Sequence, residues 1–284
     1  MIANESKTFL LTGSRSQLGM ALLPKLAERQ DRVVAVAQTP CAAFSNIEWV
    51  TGRLPEAQVP ALQYDALISF GPMDKLAEWL AQQPTAPAAR VIATSSMSAV
   101  SKHSARYAED RDISRRLVAG EQQLRTICAQ LEMPCVIFRP TMIYGLGLDE
   151  NLSAVARSAL KRRVFVAPQA RGMRQPVHAE DVAEAALRAA TKAHALDETI
   201  ELGGGERLTV REMFRRVHRS LPRKALWVPA PAGVMALLAL VSKRFRGAVS
   251  RLESDLIADN SRVSAALDLE PRGFQPNDDT WRNL

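Results

Sequence analysis

Aromatic side chains make up only 5% of the 284 residues. So sparse a set excludes an extended stacking platform for single-stranded nucleic acid. Cysteine is scarcer still: Cys41, Cys128 and Cys135 are the only three, an odd number with no C-x-x-C spacing. With four histidines alongside, this excludes a disulfide framework and offers no zinc-ligand constellation. A spanning helix needs about 20 apolar residues, and the one long apolar stretch, Ala225 to Ser242, is broken by Pro229, Pro231 and Gly233. Its helical part, Ala232 to Val241, is expected to be a buried helix. A membrane-surface contact through 232–246, ending in Lys243, Arg244 and Arg246, is the lesser reading. The opening "MIANESK" is polar and carries no apolar leader pattern. The expected location is a reducing cytoplasm.

What is present is an ordinary globular composition, 47% apolar and 24% charged. The length suits one large α/β domain, or one plus a small lobe. The net charge is +7, with basic residues scattered as Lys161-Arg162-Arg163, Arg215-Arg216 and Lys243-Arg244. No nucleic-acid motif accompanies them, so no nucleic-acid partner is expected. A mildly basic surface suits small anionic ligands.

Apolar runs alternate with helical patterns. Strands are expected at Thr8–Leu11, Val33–Ala37, Ile47–Val50, Ala66–Phe70, Val91–Thr94, Val136–Arg139 and Thr199–Leu202. Helices are expected at Leu18–Arg29, Met73–Gln82, Ile113–Leu131, Leu152–Arg162, Ala179–Ala193 and Val210–Ser220. In the third helix, Ile113, Leu117, Val118, Leu124, Ile127, Cys128 and Leu131 form one apolar stripe. "TVRE" at Thr209–Glu212 has the spacing of a capping box. Alternating strand and helix predicts an α/β fold with a doubly wound parallel sheet. After about Gly203 the pattern changes to helices and proline-rich turns. The expected division is 1–203 for the sheet domain, with 145–175 contributing to a substrate lobe, and 204–284 for a small, mostly helical C-terminal lobe.

"TGSRSQLG", Thr12 to Gly19, links the first strand to the first helix. Glycines at such a corner let the backbone turn tightly and approach a pyrophosphate, while the helix N-terminus supplies N–H donors and a positive dipole. Gly13 and Gly19 are present, but Ser16 holds the middle position. Serine is small there, and its hydroxyl can donate to a phosphate. An acid closing the second strand would hold a ribose 2′-hydroxyl and favour NAD. Gln38 stands there instead, so no carboxylate repels a 2′-phosphate, and Arg15 in the turn can pair with one. NADP is therefore favoured over NAD. Arg15 reads equally well as a solvated loop residue.

Later segments carry a resemblance. "VIFRPTMIYGLGLDENL" resembles the "RPxxVYGPxxxNL" segment of the extended short-chain dehydrogenase/reductase superfamily, the NAD-dependent epimerase/dehydratase branch. "RQPVHAEDVAEA" resembles that branch's "RDFIHVDDVARA". "VIATSSMS" resembles its fifth strand with paired serines, "LVAGEQQL" its "KLAAEQLL" helix and "ELGGGERLTVREM" its "NLGGGEPLTVREL". The matches fall in family order over nearly the whole chain. The resemblance implies a Rossmann domain binding NAD(P) and a C-terminal lobe over the substrate cleft. It implies that Gly13, Ser16, Gln17, Leu18 and Gly19 line the pyrophosphate and that Gly71 lies beside the cofactor. Ser95 or Ser96 takes the catalytic serine position, and Pro140 and Thr141 pass near the nicotinamide. Asn151 and Arg174 face the substrate, with Tyr144 close by. A small-molecule substrate, such as a nucleotide sugar, is the partner implied; a homodimer is compatible with it.

The branch's reaction uses Tyr and Lys four apart on one helix. Tyrosine exchanges a proton with the substrate hydroxyl, and lysine lowers the tyrosine pKa from about 10 toward the working range. Register from Glu121 puts those positions at Leu117 and Ile113, both apolar; a one-residue insertion would give Arg116 and Asp112 instead. "YAEDR", Tyr107 to Arg111, has similar spacing but lies six residues upstream, on nearly the opposite helix face. Arginine is also a poor proton carrier. Tyr107 can act only if the loop before the helix folds back. His178, in the "PVH" turn, is expected to be structural. Two functions stay open: an NAD(P)-dependent oxidoreductase or epimerase, and a non-catalytic dinucleotide-binding protein with a structural or redox-sensing role.

Overall fold

The structure is a computed structural model and describes residues 6–41, 44, 47–231, 252 and 254–283. Its elements in chain order are β1 (Thr8–Thr12), α1 (Gln17–Glu28), β2 (Arg32–Ala37), β3 (Ile47–Thr51), β4 (Ala66–Ser69), α2 (Met73–Leu80), β5 (Val91–Thr94), α3 (Ser98–Ser101), α4 (Ala108–Gln130) and β6 (Cys135–Pro140). Then follow β7 (Ile143–Tyr144), α5 (Leu152–Arg162), β8 (Val164–Pro168), β9 (Met173–Arg174), β10 (Val177–His178), α6 (Ala179–Thr191), β11 (Thr199–Leu202), β12 (Leu208–Thr209), α7 (Val210–Arg219), β13 (Leu226–Ala230), α8 (Ser261–Leu267) and a 3₁₀ turn (Asp278–Trp281).

Seven parallel strands form the central sheet in the order β11-β6-β5-β4-β1-β2-β3. Every sheet strand lies within one or two residues of its sequence-expected place. The reason is burial on both faces, which makes such strands near-continuous apolar runs. Period-2 alternation then sorts their side chains. Phe9 and Leu11 face α1 and α6, and Leu10 between them faces α2 and α4. The strand order reverses between β1 and β4, which opens a crevice beyond their carboxyl ends, the usual ligand site of such sheets.

The third helix differs from expectation. It begins at Ala108, five residues early, with Tyr107 at its N-cap. Its buried face is partly polar: Asp110, Ser114 and Glu121 are buried, whereas Val118, expected in the apolar stripe, is exposed. The partners of those polar groups lie on α3, β5 and β6, beyond the reach of a local pattern.

The lobe has its own core, with Leu152, Ala156, Phe165, Met213, Phe214, Phe274 and Trp281 packed together. Segment 145–175 contributes through α5 and through the pairings β8–β13 and β9–β12. Val263, Ala266, Leu267 and Leu269 pack instead into the α1–α6 core of the sheet domain. At the start of α7, Thr209 accepts the N–H of Glu212 at 3.2 Å. The Glu212 carboxylate pairs with Arg215 and Arg216, so the box is capped from one side only. The expected helix at Ala232 to Val241, and the membrane contact through 232–246, lie outside the described residues. No described helix is long and apolar enough to cross a membrane.

Candidate cofactor and substrate cleft

The corner after β1 is fixed by backbone and hydroxyl contacts. Ser16 N–H donates to Gly13 O at 2.9 Å and closes the turn. The buried Ser14 hydroxyl donates to Val36 O at 2.7 Å, and Thr12 Oγ1 to Ser69 Oγ at 2.8 Å. Gly13 has φ +66°, a left-handed conformation. A Cβ there would stand 2.5 Å from the Phe70 carbonyl carbon. Gly13 is thus demanded by the end of β4, not by ligand space as the motif suggested. A Cβ at Gly19 would strike the Gly13 and Ser14 carbonyls.

Ser16 is the N-cap of α1, and its Oγ accepts Gly19 N–H at 3.2 Å. That use leaves the hydroxyl proton free to donate. Gln17 and Leu18 are the first helical residues, and their N–H groups have no intrahelical acceptor. The corner therefore presents an anion site of N–H donors at a helix N-terminus.

Three cavities adjoin one another here. The first, about 700 Å³, is lined by Gly13, Arg15, Gln38, Gly71 and Lys75, and by Arg53 and Glu56, which sequence reasoning missed. Arg15 and Arg53 have no ion-pair partner among the described residues, while Lys75 pairs with Glu78 at 2.8 Å. The second, about 390 Å³, shares Ser16 with the first and is lined by Gln17, Leu18, Ser95, Ser96, Pro140, Thr141 and Asn151. The third, also about 390 Å³, shares Ser96, Thr141 and Asn151 and adds Lys102 and Arg174. Most of the expected site residues thus meet along one cleft, running from the β2 and β3 ends to the lobe.

Several hydroxyls and charges in this cleft are held in place. Ser95 donates to Glu121, whose carboxylate also accepts Arg139 Nε at 2.9 Å and Nη2. Ser96 Oγ accepts Ser98 N–H at 3.1 Å. Thr141 donates to Gln175 O. Arg174 is buried and donates to the Met173 and Ser254 carbonyls at 2.7 and 2.6 Å. Lys102 Nζ lies 3.4 Å from Asp110 Oδ1, with side chains only 15% and 5% exposed. Ser114 Oγ donates to Ala99 O at 2.6 Å and binds α3, which ends beside Lys102, onto α4. Asp149, not Asn151, caps α5, accepting the Asn151 and Ser153 N–H groups at 2.9 and 3.0 Å. The side chain of Asn151 stays exposed at the junction of two cavities.

Two expected residues stand apart from the cleft. Tyr107 is the N-cap of a continuous α4 and lines none of these cavities. Tyr144 is 1% exposed, edge-on to His178 and Phe274 at 5.0 and 4.7 Å between centroids. Burial pushes its phenol up to about 12. His178 Nδ1 accepts Glu180 N–H at 3.2 Å and caps α6. Burial, then the Arg272 charge, hold its pKa below the usual value, so the ring is neutral at pH 7. Ile113 and Leu117 are partly buried, and α4 contains no tyrosine and no lysine. No cluster of three or more His, Cys, Asp or Glu suited to a metal occurs among the described residues.

Sheet order and crevice define the class: a doubly wound, Rossmann-type α/β protein with a further hydrophobic core around Phe165, Phe214 and Trp281. The sequence profile of the NAD dependent epimerase/dehydratase family matches residues 64–203. No curated protein sequence matches significantly. Solved structures share the fold at low identity. MoeE5 in complex with UDP-glucuronic acid and NAD is 17% identical, with 98% of this chain and 100% of that chain covered and a TM-score of 0.71. UDP-glucuronic acid 4-epimerase from Bacillus cereus, in complex with UDP-glucuronic acid and NAD, is 15% identical over 93% and 94%, at 0.68. UDP-N-acetylglucosamine 4-epimerase from the same organism is 14% identical over 98% and 95%, at 0.69.

Proposed function

We propose that this protein binds NAD(P), with NADP(H) preferred, and acts as an oxidoreductase or epimerase on a carbonyl or hydroxyl of a small anionic substrate of the nucleotide-sugar class. One observation carries the reading: a single cleft joins the helix N-terminus at Ser16–Leu18 to Ser96, Lys102 and Arg174. Solved proteins of the same fold hold NAD together with UDP-glucuronic acid or UDP-glucose.

The residues fit a dinucleotide. The N–H groups of Gln17 and Leu18 and the Ser16 hydroxyl would hold the pyrophosphate. Arg15 and Arg53, neither with an ion-pair partner among the described residues, and the uncharged Gln38 favour a 2′-phosphate on the ribose. When bound, NAD(P) supplies hydride exchange at its nicotinamide ring. The chain must then supply the proton. With Ile113 and Leu117 apolar, the best-placed donors in the cleft are the Lys102 ammonium and the Ser96 hydroxyl. Lys102, steadied by Asp110, would polarise the substrate oxygen; Ser96 would orient it. Tyr107 would contribute only through a rearrangement of the loop before α4.

One observation favours a second reading, a non-catalytic NAD(P)-binding protein: both positions of the family's proton-transfer pair are aliphatic. The experiment is direct. Protein purified without added ligand is denatured and assayed for released dinucleotide, then screened with UDP-sugars and simple carbonyls for NAD(P)H oxidation and for epimer formation by NMR. Turnover supports the enzyme. Tight dinucleotide binding with no turnover on any substrate leaves the second reading. Absence of dinucleotide binding sinks both.

A further inference from the structure

The lobe carries a surface that none of this chemistry uses. Strands β8 and β13 pair in parallel, with Leu226 beside Val164 and Val228 beside Val166. The inward side of this ribbon is lobe core, where Phe165 and Trp227 stack at 5.6 Å. The outward side is aliphatic and open: Val166 is 49% exposed, Leu226 66% and Val228 36%. Half of the six exposed large hydrophobic residues of the described chain thus fall on one two-stranded face.

The charge around that face is of one sign. Lys161, Arg162 and Arg163 lead into β8, and Arg223 and Lys224 lead into β13. Because the strands run parallel, all five cations gather at the same end of the ribbon. All five are exposed, and none has an ion-pair partner among the described residues. The sequence holds no Asp or Glu from Leu152 to Ala179 or from Met213 to Leu252. It also continues directly from β13 into the apolar run 232–241, followed by Lys243, Arg244 and Arg246.

We infer that the β8–β13 face docks the protein on an anionic lipid surface. Aliphatic side chains beside a cluster of unneutralised cations match the two attractions of a peripheral membrane site: apolar burial at the acyl boundary and attraction to acidic headgroups. A nucleic-acid backbone would use the cations but has no use for three exposed aliphatic side chains, and the face offers no exposed aromatic ring for stacking. The inference is independent of what the cleft binds.

The test is co-sedimentation of the full chain with vesicles of phosphatidylcholine alone and of phosphatidylcholine with phosphatidylglycerol. Binding is expected to the mixed vesicles, to be weak on the neutral ones, and to fall as salt shortens the screening length. Replacing Lys161, Arg162 and Arg163 together by Gln should lower the partition coefficient about fivefold per charge, roughly 100-fold in all. The double variant Val166→Ser/Leu226→Ser should lower it at least about tenfold. Both sites are exposed, so a thermal melt matching the parent verifies the fold of each variant. Failure of the parent chain to bind mixed vesicles, or equal binding to neutral ones, overturns the inference. So does a serine variant that binds like the parent while the protein also binds duplex DNA, which would make the face a general polyanion surface.

Discussion

Lys102 and Asp110 form an ion pair, 3.4 Å apart, in the wall of the cleft. It joins the end of α3 to the first turn of α4. A side chain at position 113 would cover the helix surface over the turn before its own Cα, which is where Asp110 lies. The pair thus borders the space that a tyrosine at 113 would fill. In the proposed reaction Lys102→Met should lower kcat by about 10²–10⁴, the usual worth of acid–base assistance, with NADPH affinity unchanged in calorimetry. It also removes one partner of a buried carboxylate, so a loss of stability is expected, read as a lower melting temperature. Lys102→Arg should restore stability before it restores turnover. Full activity in Lys102→Met would remove the residue from the mechanism.

The corner makes two unequal demands. Gly13→Val should abolish nucleotide binding and lower the melting temperature together, because the new side chain meets the β4 backbone and φ +66° is unfavourable for a β-branched residue. Ser16→Gly should cost only a few tenths of a kcal/mol in helix capping and keep nucleotide affinity within about tenfold, or 1.4 kcal/mol. Calorimetric titration in which Gly13→Val binds normally would show that the nucleotide sits elsewhere.

Cofactor choice is read from two arginines. Arg15→Ala and Arg53→Ala should each weaken NADPH by about 1.5–3 kcal/mol, the range for charge-assisted hydrogen bonds, and leave NADH nearly unchanged. Parallel binding curves for the two cofactors decide it. Equal losses for both would mean that the arginines support the loop or the pyrophosphate.

Ser96 and Tyr107 should separate cleanly. Ser96→Ala should reduce turnover, since its hydroxyl lines both inner cavities. Tyr107→Phe should change neither turnover nor stability by more than about 0.5 kcal/mol, the usual limit for a change away from core and site. A large kinetic loss in Tyr107→Phe would show that the segment before α4 rearranges during turnover.

His178 gives an acid-sensitivity of known sign. Its folded pKa lies below the ordinary 6.5, so the unfolded chain binds the extra proton first. The stability this provides is complete above about pH 6.5 and is lost as pH falls from there toward the folded value. Melting temperatures from pH 7.5 to 5 should fall. His178→Asn, which keeps a capping side chain, should flatten that part of the curve. An unchanged slope in the variant would assign the sensitivity to other groups.

The sheet was legible because burial on both faces writes itself into local composition: Leu10, Leu11, Val34 and Ile68 need no partner information to be read as core. The start of α4 was not, because its inward face holds Asp110, Ser114 and Glu121, and these are satisfied by residues of α3, β5 and β6. The same holds for the site. Gly13 and Ser16 sit within one turn of chain and could be read directly. Arg53 and Lys102 reach the cleft only through the crossing from β3 to β4 and the packing of α3, so their sequence neighbourhood carries no sign of them. The motif of Tyr144 lies beside the cleft, but its ring packs into the His178–Phe274 cluster, a contact that needs partners far along the chain.

Gln17 stands at the first turn of α1, yet its amide Nε2 donates to Gly145 O at 2.6 Å, 128 residues along the chain. Gly145 opens a run of three left-handed residues with Leu146 and Gly147, and Leu146 O accepts Asn283 Nδ2 at 2.6 Å. A single side chain thereby tethers the corner after β1 to the segment between β7 and α5 and, one residue on, to the end of the described chain. Were ligands to bind at the corner and beside the lobe, any coupling carried through this tether would have to be equal in both directions.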